Sequence, residues 1–221
     1  MHKLMGGRAG LVLGVLALIL ASPLVAPQLL AFPHKTETPI GTVWSEQPLD
    51  PALMAATASA VRQRLASSPL ARPDEKRPIF LTDGGWRWLY LANTTRGAFA
   101  FTRPITSAVV VNRTDPRDVV VRNGASIGGA RPLAAVLAHE FTHGIIRREY
   151  GVIRSATFPQ WKVEGYCDHV AGNSSLSEAD VAMLEAEGRS HPALTYYHGR
   201  KRVAEELAAN SGSPDALFAG D

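Results

Sequence analysis

The chain has 221 residues, 46% of them hydrophobic and 19% charged, with a net charge of +3. These are globular values for one domain with a sizeable core. The positive charge is mild and scattered, without a Lys/Arg run of five or more, which argues against a nucleic-acid partner. A single cysteine, Cys167, closes no internal disulfide and is read as a small buried hydrophobe.

Lys3 and Arg8 precede a stretch, Gly10 to Phe32, that holds 23 residues without a charge. Residues 1–32 therefore read as a signal peptide or a membrane anchor, with the rest of the chain exported. Cuts after Ala21, Ala26 or Ala31 would leave Ile19, Leu24 or Leu29 three residues upstream of the cleavage point, which suits a signal peptidase poorly. The membrane anchor is favoured. Residues 33–48 read as a polar, Pro-containing linker, and residues 49–221 as one domain. Asp50 then caps a helix with Pro51 at its first position, running to about Ser67. Ile79-Phe80-Leu81-Thr82 reads as a strand, and Trp86 to Leu91 is ambiguous between helix and strand. Ala98 to Phe101 is a further strand. Ala108 to Asn112 and Asp118 to Arg122 are the clearest strands, joined by a turn at Arg113-Thr114-Asp115-Pro116. The expectation is an α+β fold in which a small, mostly antiparallel sheet precedes a helical subdomain.

The helical part opens with the most informative stretch, His139-Glu140-Phe141-Thr142-His143. Arg131 to Ala138 supplies the helix, with Pro132 at its first position and Gly151 as its stop. Residues i and i+4 share a helix face, so both imidazoles can reach one metal ion while Glu140 stands close enough to take a proton from a metal-bound water. A catalytic zinc has three protein ligands and a water. Glu164, with twenty residues between it and His143, is the candidate third ligand. It lies on a second helix that Pro159 opens and Gly172 ends. Asp168 follows one turn later on the same face, where its carboxylate can accept the free N–H of a ligating imidazole.

His139-Glu140-x-x-His143 followed by Trp161-x-x-Glu164-Gly165-x-x-Asp168 resembles the gluzincin metallopeptidases, the thermolysin-like clan, over residues 131 to 172. The resemblance implies a zincin-like fold, a Zn2+ cofactor, a protein or peptide substrate bound along an edge strand, and hydrolysis with Glu140 as general base. It also implies a Tyr or His on a later helix as donor to the developing oxyanion, for which Tyr197 and His198 are the candidates. Ile146 and Glu149 exclude the metzincin pattern. The competing readings are a non-catalytic exported module of the same fold that binds an extended partner peptide, and an anchored scaffold in which the motif is chance. Downstream, Ser177-Glu178-Ala179-Asp180 opens another helix ending near Gly188, and a last helix starts near Pro192 and runs through Leu207.

Overall fold

Residues 2–219 are described by the computed structural model, with side chains from Gly10 onward. Helix α1 (His2–Val25) carries the apolar N-terminal run, and its Leu11, Leu13, Leu18, Ile19 and Leu20 are exposed. Among the described residues, no helix is long and apolar enough to cross a membrane. After a short 3₁₀ turn at Pro27–Leu30 the chain lies against the domain. Arg87 donates to the Leu30 and Ala31 carbonyls, and its guanidinium sits 5.4 Å over the Phe32 ring.

The segment expected to be a linker is part of the fold. Strands β1 (His34–Thr38) and β2 (Gly41–Ser45) form an antiparallel hairpin. Every second residue of β1 is exposed, so its polarity is that of an edge strand with one face in water. Gly41 turns the hairpin with φ +126°, and a Cβ there would lie 2.0 Å from the Arg77 carbonyl oxygen. Only glycine fits.

Helix α2 (Pro51–Leu65) begins as the sequence indicates, with the Asp50 carboxylate accepting from the Ala52 and Leu53 amides. Its Met54, Ala58, Val61 and Leu65 make one buried face. Strand β3 (Ile79–Leu81) follows, and the ambiguous tryptophan-rich stretch is helix α3 (Trp86–Ala92). With β4 (Ala100–Thr102) and β5 (Val109–Val111) the larger sheet has the order β1-β2-β3-β5-β4, so β4 is an edge. Strands β6 (Arg113–Asp115), β7 (Val120–Arg122) and β8 (Ala130–Pro132) form a second, antiparallel sheet. The expected turn at Arg113 is thus itself a strand. Among the described strands, four of six pairings are antiparallel, and the two parallel ones join β2, β3 and β5 at the centre.

The helical half comprises α4 (Leu133–Tyr150), α5 (Val152–Ser155), α6 (Gln160–Ala171), α7 (Glu178–Ala186), α8 (Pro192–Ala209) and α9 (Pro214–Ala219). The fold is α+β, small sheets followed by helices. Leu133, Leu137, Phe141 and Ile145 of α4 are fully buried between the sheet and its neighbours. Each such side chain stabilises by about 1.5–3 kcal/mol. Gly151 ends α4 at φ +84°, and Gly172 ends α6 in the left-handed region. Helices α6 and α8 approach closely because Gly165 and Gly199 face one another. A Cβ on Gly165 would lie 2.5 Å from the Gly199 carbonyl oxygen.

That contact sets a test. In an open helix, Gly→Ala stabilises by up to about 1 kcal/mol. Gly165→Ala is expected instead to destabilise by about 1–3 kcal/mol, because backbone has to move. Gly97→Ala, whose Cβ would meet nothing within 4 Å, should stay within about 0.5 kcal/mol of the parent. Urea unfolding midpoints of the two variants check this directly.

Candidate metal centre

Helix α4 places His139 and His143 one turn apart on one face, with their Nε2 atoms 3.1 Å from each other. Helix α6 crosses α4 and carries Glu164 over the pair. Its Oε2 lies 3.3 Å from His139 Nε2, and its Oε1 lies 3.6 Å from His143 Nε2. Ligands about 2.0–2.1 Å from a tetrahedral zinc stand about 3.3–3.4 Å apart. The three observed separations bracket that value, so the donor set fits such an ion. The structure brings together the two histidines and the glutamate that the sequence singles out.

Cys167 stands one helical turn beyond Glu164. Its Sγ and ring nitrogens of both histidines lie within 4.8 Å of one another. The thiol is fully buried in the core, and burial, then the carboxylates of Glu164, Glu140 and Asp168, push its pKa well up. The ligating form is the thiolate, which this setting disfavours. Cys167 is buried in the core beside the two imidazoles and does not line the cleft.

Asp168 does what its spacing implies. Its Oδ1 accepts from His139 Nδ1 at 2.8 Å, which leaves Nε2 of His139 facing Glu164 and His143. The same oxygen accepts from Arg131 Nη2 at 2.9 Å, and Oδ2 accepts from the Ser174 hydroxyl at 2.7 Å. Arg131 stands on β8, just ahead of α4. It is held in turn by the Asn173 side chain and carbonyl, at 3.0 and 2.9 Å. The sequence reading missed Arg131 and Ser174, because their partnership with Asp168 exists only once the helices are packed.

Charges reinforce one another here. Burial raises the Asp168 pKa, but Arg131, His139 and Ser174 outweigh it and hold the carboxyl down to about 2. Burial also lowers the His139 pKa, yet the hydrogen bonds of Asp168 and Glu164 prevail and push it up to about 10. For Glu164, burial acts upward and the two histidines prevail, leaving it well below the usual carboxylate range. The surroundings thus favour a positive charge between these side chains.

Glu140 is buried beside the pair. The Thr102 hydroxyl, from edge strand β4, lies 2.7 Å from Glu140 Oε2 and 2.8 Å from the Glu140 carbonyl oxygen. The site opens into a cleft of about 680 Å³. One wall is Phe99 with strand β4, and the other is the start of α8, with His191, Ala193 and Tyr196. Phe99 and Arg103 bond through their backbones to Asn112 and Ala108 beside β5. By alternation, Ala100 and Thr102 point their peptide groups away from β5.

Tyr197 and His198 do not line this cleft, a correction to the sequence reading. Tyr197 is buried in a separate cluster with Leu176, Val181 and Leu184. His198 lies on the outer surface, with Nε2 3.2 Å from Glu185 Oε1. Each residue turns the helix by about 100°, so Tyr196, one position earlier, faces the cleft. Its hydroxyl accepts from Gln160 Nε2 at 3.2 Å. Burial, then Glu164 and Asp168, raise its pKa, so it remains a donor. His191, passed over in the sequence as the residue ahead of Pro192, caps α8 by accepting the Ala193 amide on Nδ1 at 3.2 Å. The proton of the neutral ring therefore sits on Nε2.

Searches of protein families, curated proteins and solved structures found no match to this chain. Its likeness to the gluzincins stands on the motif residues alone.

Were a divalent ion to occupy this donor set, Asp168→Asn would weaken its affinity by about 10–100-fold, since the His139 imidazole loses its orienting anion. Competition against a chelator reads this. Acid unfolding of the metal-free chain gives a second readout. The Asp168 pKa falls from 3.8 unfolded to about 2 folded. Its contribution is then complete above about pH 4 and drains away between about pH 4 and pH 2, on the order of 2 kcal/mol. Stability of the parent should fall more steeply across that window than that of Asp168→Asn, which keeps only the slope due to Glu164 and the other carboxylates.

Proposed function

We propose that this chain is a zinc-dependent peptidase of the gluzincin type, carried out of the cytoplasm by its N-terminal segment. The observation that carries the reading is the placement of two imidazole Nε2 atoms and the Glu164 carboxylate at 3.1, 3.3 and 3.6 Å, with Glu140 adjacent. A bound zinc ion would polarise a carbonyl oxygen and lower the pKa of a water from ~15.7 to about 7.

The chain's own groups divide the remaining work. Asp168 keeps His139 in the tautomer that offers Nε2. Thr102 engages one oxygen of Glu140, leaving the other to take the proton from the attacking water and return it to the leaving amine. An extended substrate can pair with the outward peptide groups of Ala100 and Thr102 by strand addition. The phenol of Tyr196 and the Nε2–H of His191 stand across the cleft as donors to the developing oxyanion, in the place first given to Tyr197 and His198. The exposed apolar surface of α1 supports export or anchoring. The open edge of β4 also supports the second reading, a non-catalytic module that binds an extended partner, since strand addition needs no metal.

Zinc content and hydrolysis of a randomised peptide mixture by the full chain separate these readings. About one zinc per chain is expected. Glu164→Ala should lose most of it, while Cys167→Ala should keep it. Glu140→Gln should keep zinc and lose about 10²–10⁴-fold in rate. A folded parent that takes up no zinc, or a Glu140→Gln variant with full activity, would overturn the peptidase reading.

A further inference from the structure

We propose that Arg147 recognises a carboxylate on the peptide held in the cleft, so that the substrates of this site are peptides with an acidic group beside Thr102. The inference rests on the peptidase reading for what fills the cleft.

His139, His143 and Arg147 follow one another at four-residue intervals, so one face of α4 runs from the metal donors to a guanidinium. Arg147 lines the cleft. Its Nη2 reaches the Thr102 carbonyl only at 3.4 Å, and its Nε is buried without a hydrogen-bond partner. The other guanidiniums nearby are committed. Arg131 is held by Asp168 and Asn173. Arg148, the next residue, pairs with Glu75 and bonds the Leu70 carbonyl, although its Nε, like that of Arg147, has no partner.

A structural role as counter-charge to Glu140 leaves those donors unspent. Glu140 Oε2 is satisfied by Thr102, and no hydrogen bond joins it to Arg147 among the described residues. Burial lowers the pKa of the Arg147 side chain, with Glu140 acting the other way. A guanidinium in the cleft lining with no ion-paired carboxylate among the described residues matches a carboxylate, which can accept two N–H groups in parallel. The Thr102 carbonyl, which Arg147 touches, belongs to the last residue of the strand along which a peptide would pair. A carboxylate at this point is either the C-terminus of the peptide or an Asp or Glu side chain.

The test is binding to the full chain carrying Glu140→Gln, with zinc content measured on each sample. Three acetyl-capped randomised hexapeptide pools serve as probes: neutral with a C-terminal amide, neutral with a free C-terminus, and amidated with one Glu. At least one acidic pool should bind about tenfold or more tightly than the neutral amide pool. Adding Arg147→Gln should erase that preference, with zinc content and binding of the neutral pool unchanged. Arg147→Lys, which keeps the charge and loses the planar fork, should restore only part. Which acidic pool is preferred identifies the source of the carboxylate. Equal binding of all pools, no binding by any, or a preference that survives Arg147→Gln would overturn the inference. Zinc present with no such preference would leave the peptidase reading standing. A preference that depends on Arg147 in protein without zinc would support carboxylate recognition and remove the metal reading.

Discussion

The buried pairing of Asp168 with Arg131 is the contact on which the rest of the site depends. Their side chains are 1% and 6% exposed. Burying either charge alone would cost several kcal/mol. Here Asp168 is met by the Arg131 guanidinium, the His139 Nδ1–H and the Ser174 hydroxyl, so the anion finds inside the protein the hydrogen bonds it leaves in water. The geometry follows from that need. Arg131 lies on β8, the last strand before α4, and Asp168 lies on α6. To keep the pair made, the strand, the two helices and the Asn173-Ser174 turn must hold one arrangement. In that arrangement, one turn of α6 separates Asp168 from Glu164, which falls over the two imidazoles.

How much of this the sequence discloses depends on how far each feature reaches along the chain. The start of α2 at Asp50, the run of α4 to Gly151 and the span of α6 from Pro159 to Gly172 are set by neighbours within a few residues. They are legible for that reason. So are His139, Glu140 and His143, and the one-turn spacing of Glu164 and Asp168. The hairpin of β1 and β2 is not, because a short edge strand with one wet face has the composition of a linker. Its glycine is explained only by the backbone of Arg77, far along the chain. Tyr196 and Tyr197 show the same limit at finer scale. Either can serve chemically, and about 100° of helix rotation decides between them. That rotation is fixed by α8 packing on α6 through Gly199 and Gly165, which no local pattern records.

Arg147 and Arg148 make the contrast sharper still. In the sequence they are one feature, two positive charges in the last turn of a helix, where the dipole favours them. In the structure Arg148 pairs with Glu75, while Arg147 lines the cleft with no ion-paired carboxylate among the described residues. Identical chemistry at adjacent positions acquires different roles from the direction each side chain leaves the helix.

Edge strand β4 joins the two halves of the fold at the chemistry. Its outward peptide groups offer a line for an extended chain, and its Thr102 hydroxyl contacts the carboxylate of Glu140. A ligand pairing with the strand would press on the element that contacts the Glu140 carboxylate, so binding and the placement of that carboxylate are coupled through three residues of backbone. The charges around the cleft complete the argument. Glu140, Glu164 and Asp168 bring three negative charges, and Arg131 and Arg147 bring two positive ones. The balance is one negative charge in a partly dry site, where each uncompensated charge weighs more than in water. Without a metal, the raised pKa of His139 makes good that deficit with a proton. A divalent ion between the same side chains would take the place of that proton and leave the site one unit positive, a charge suited to stabilising an anion forming on a bound carbonyl.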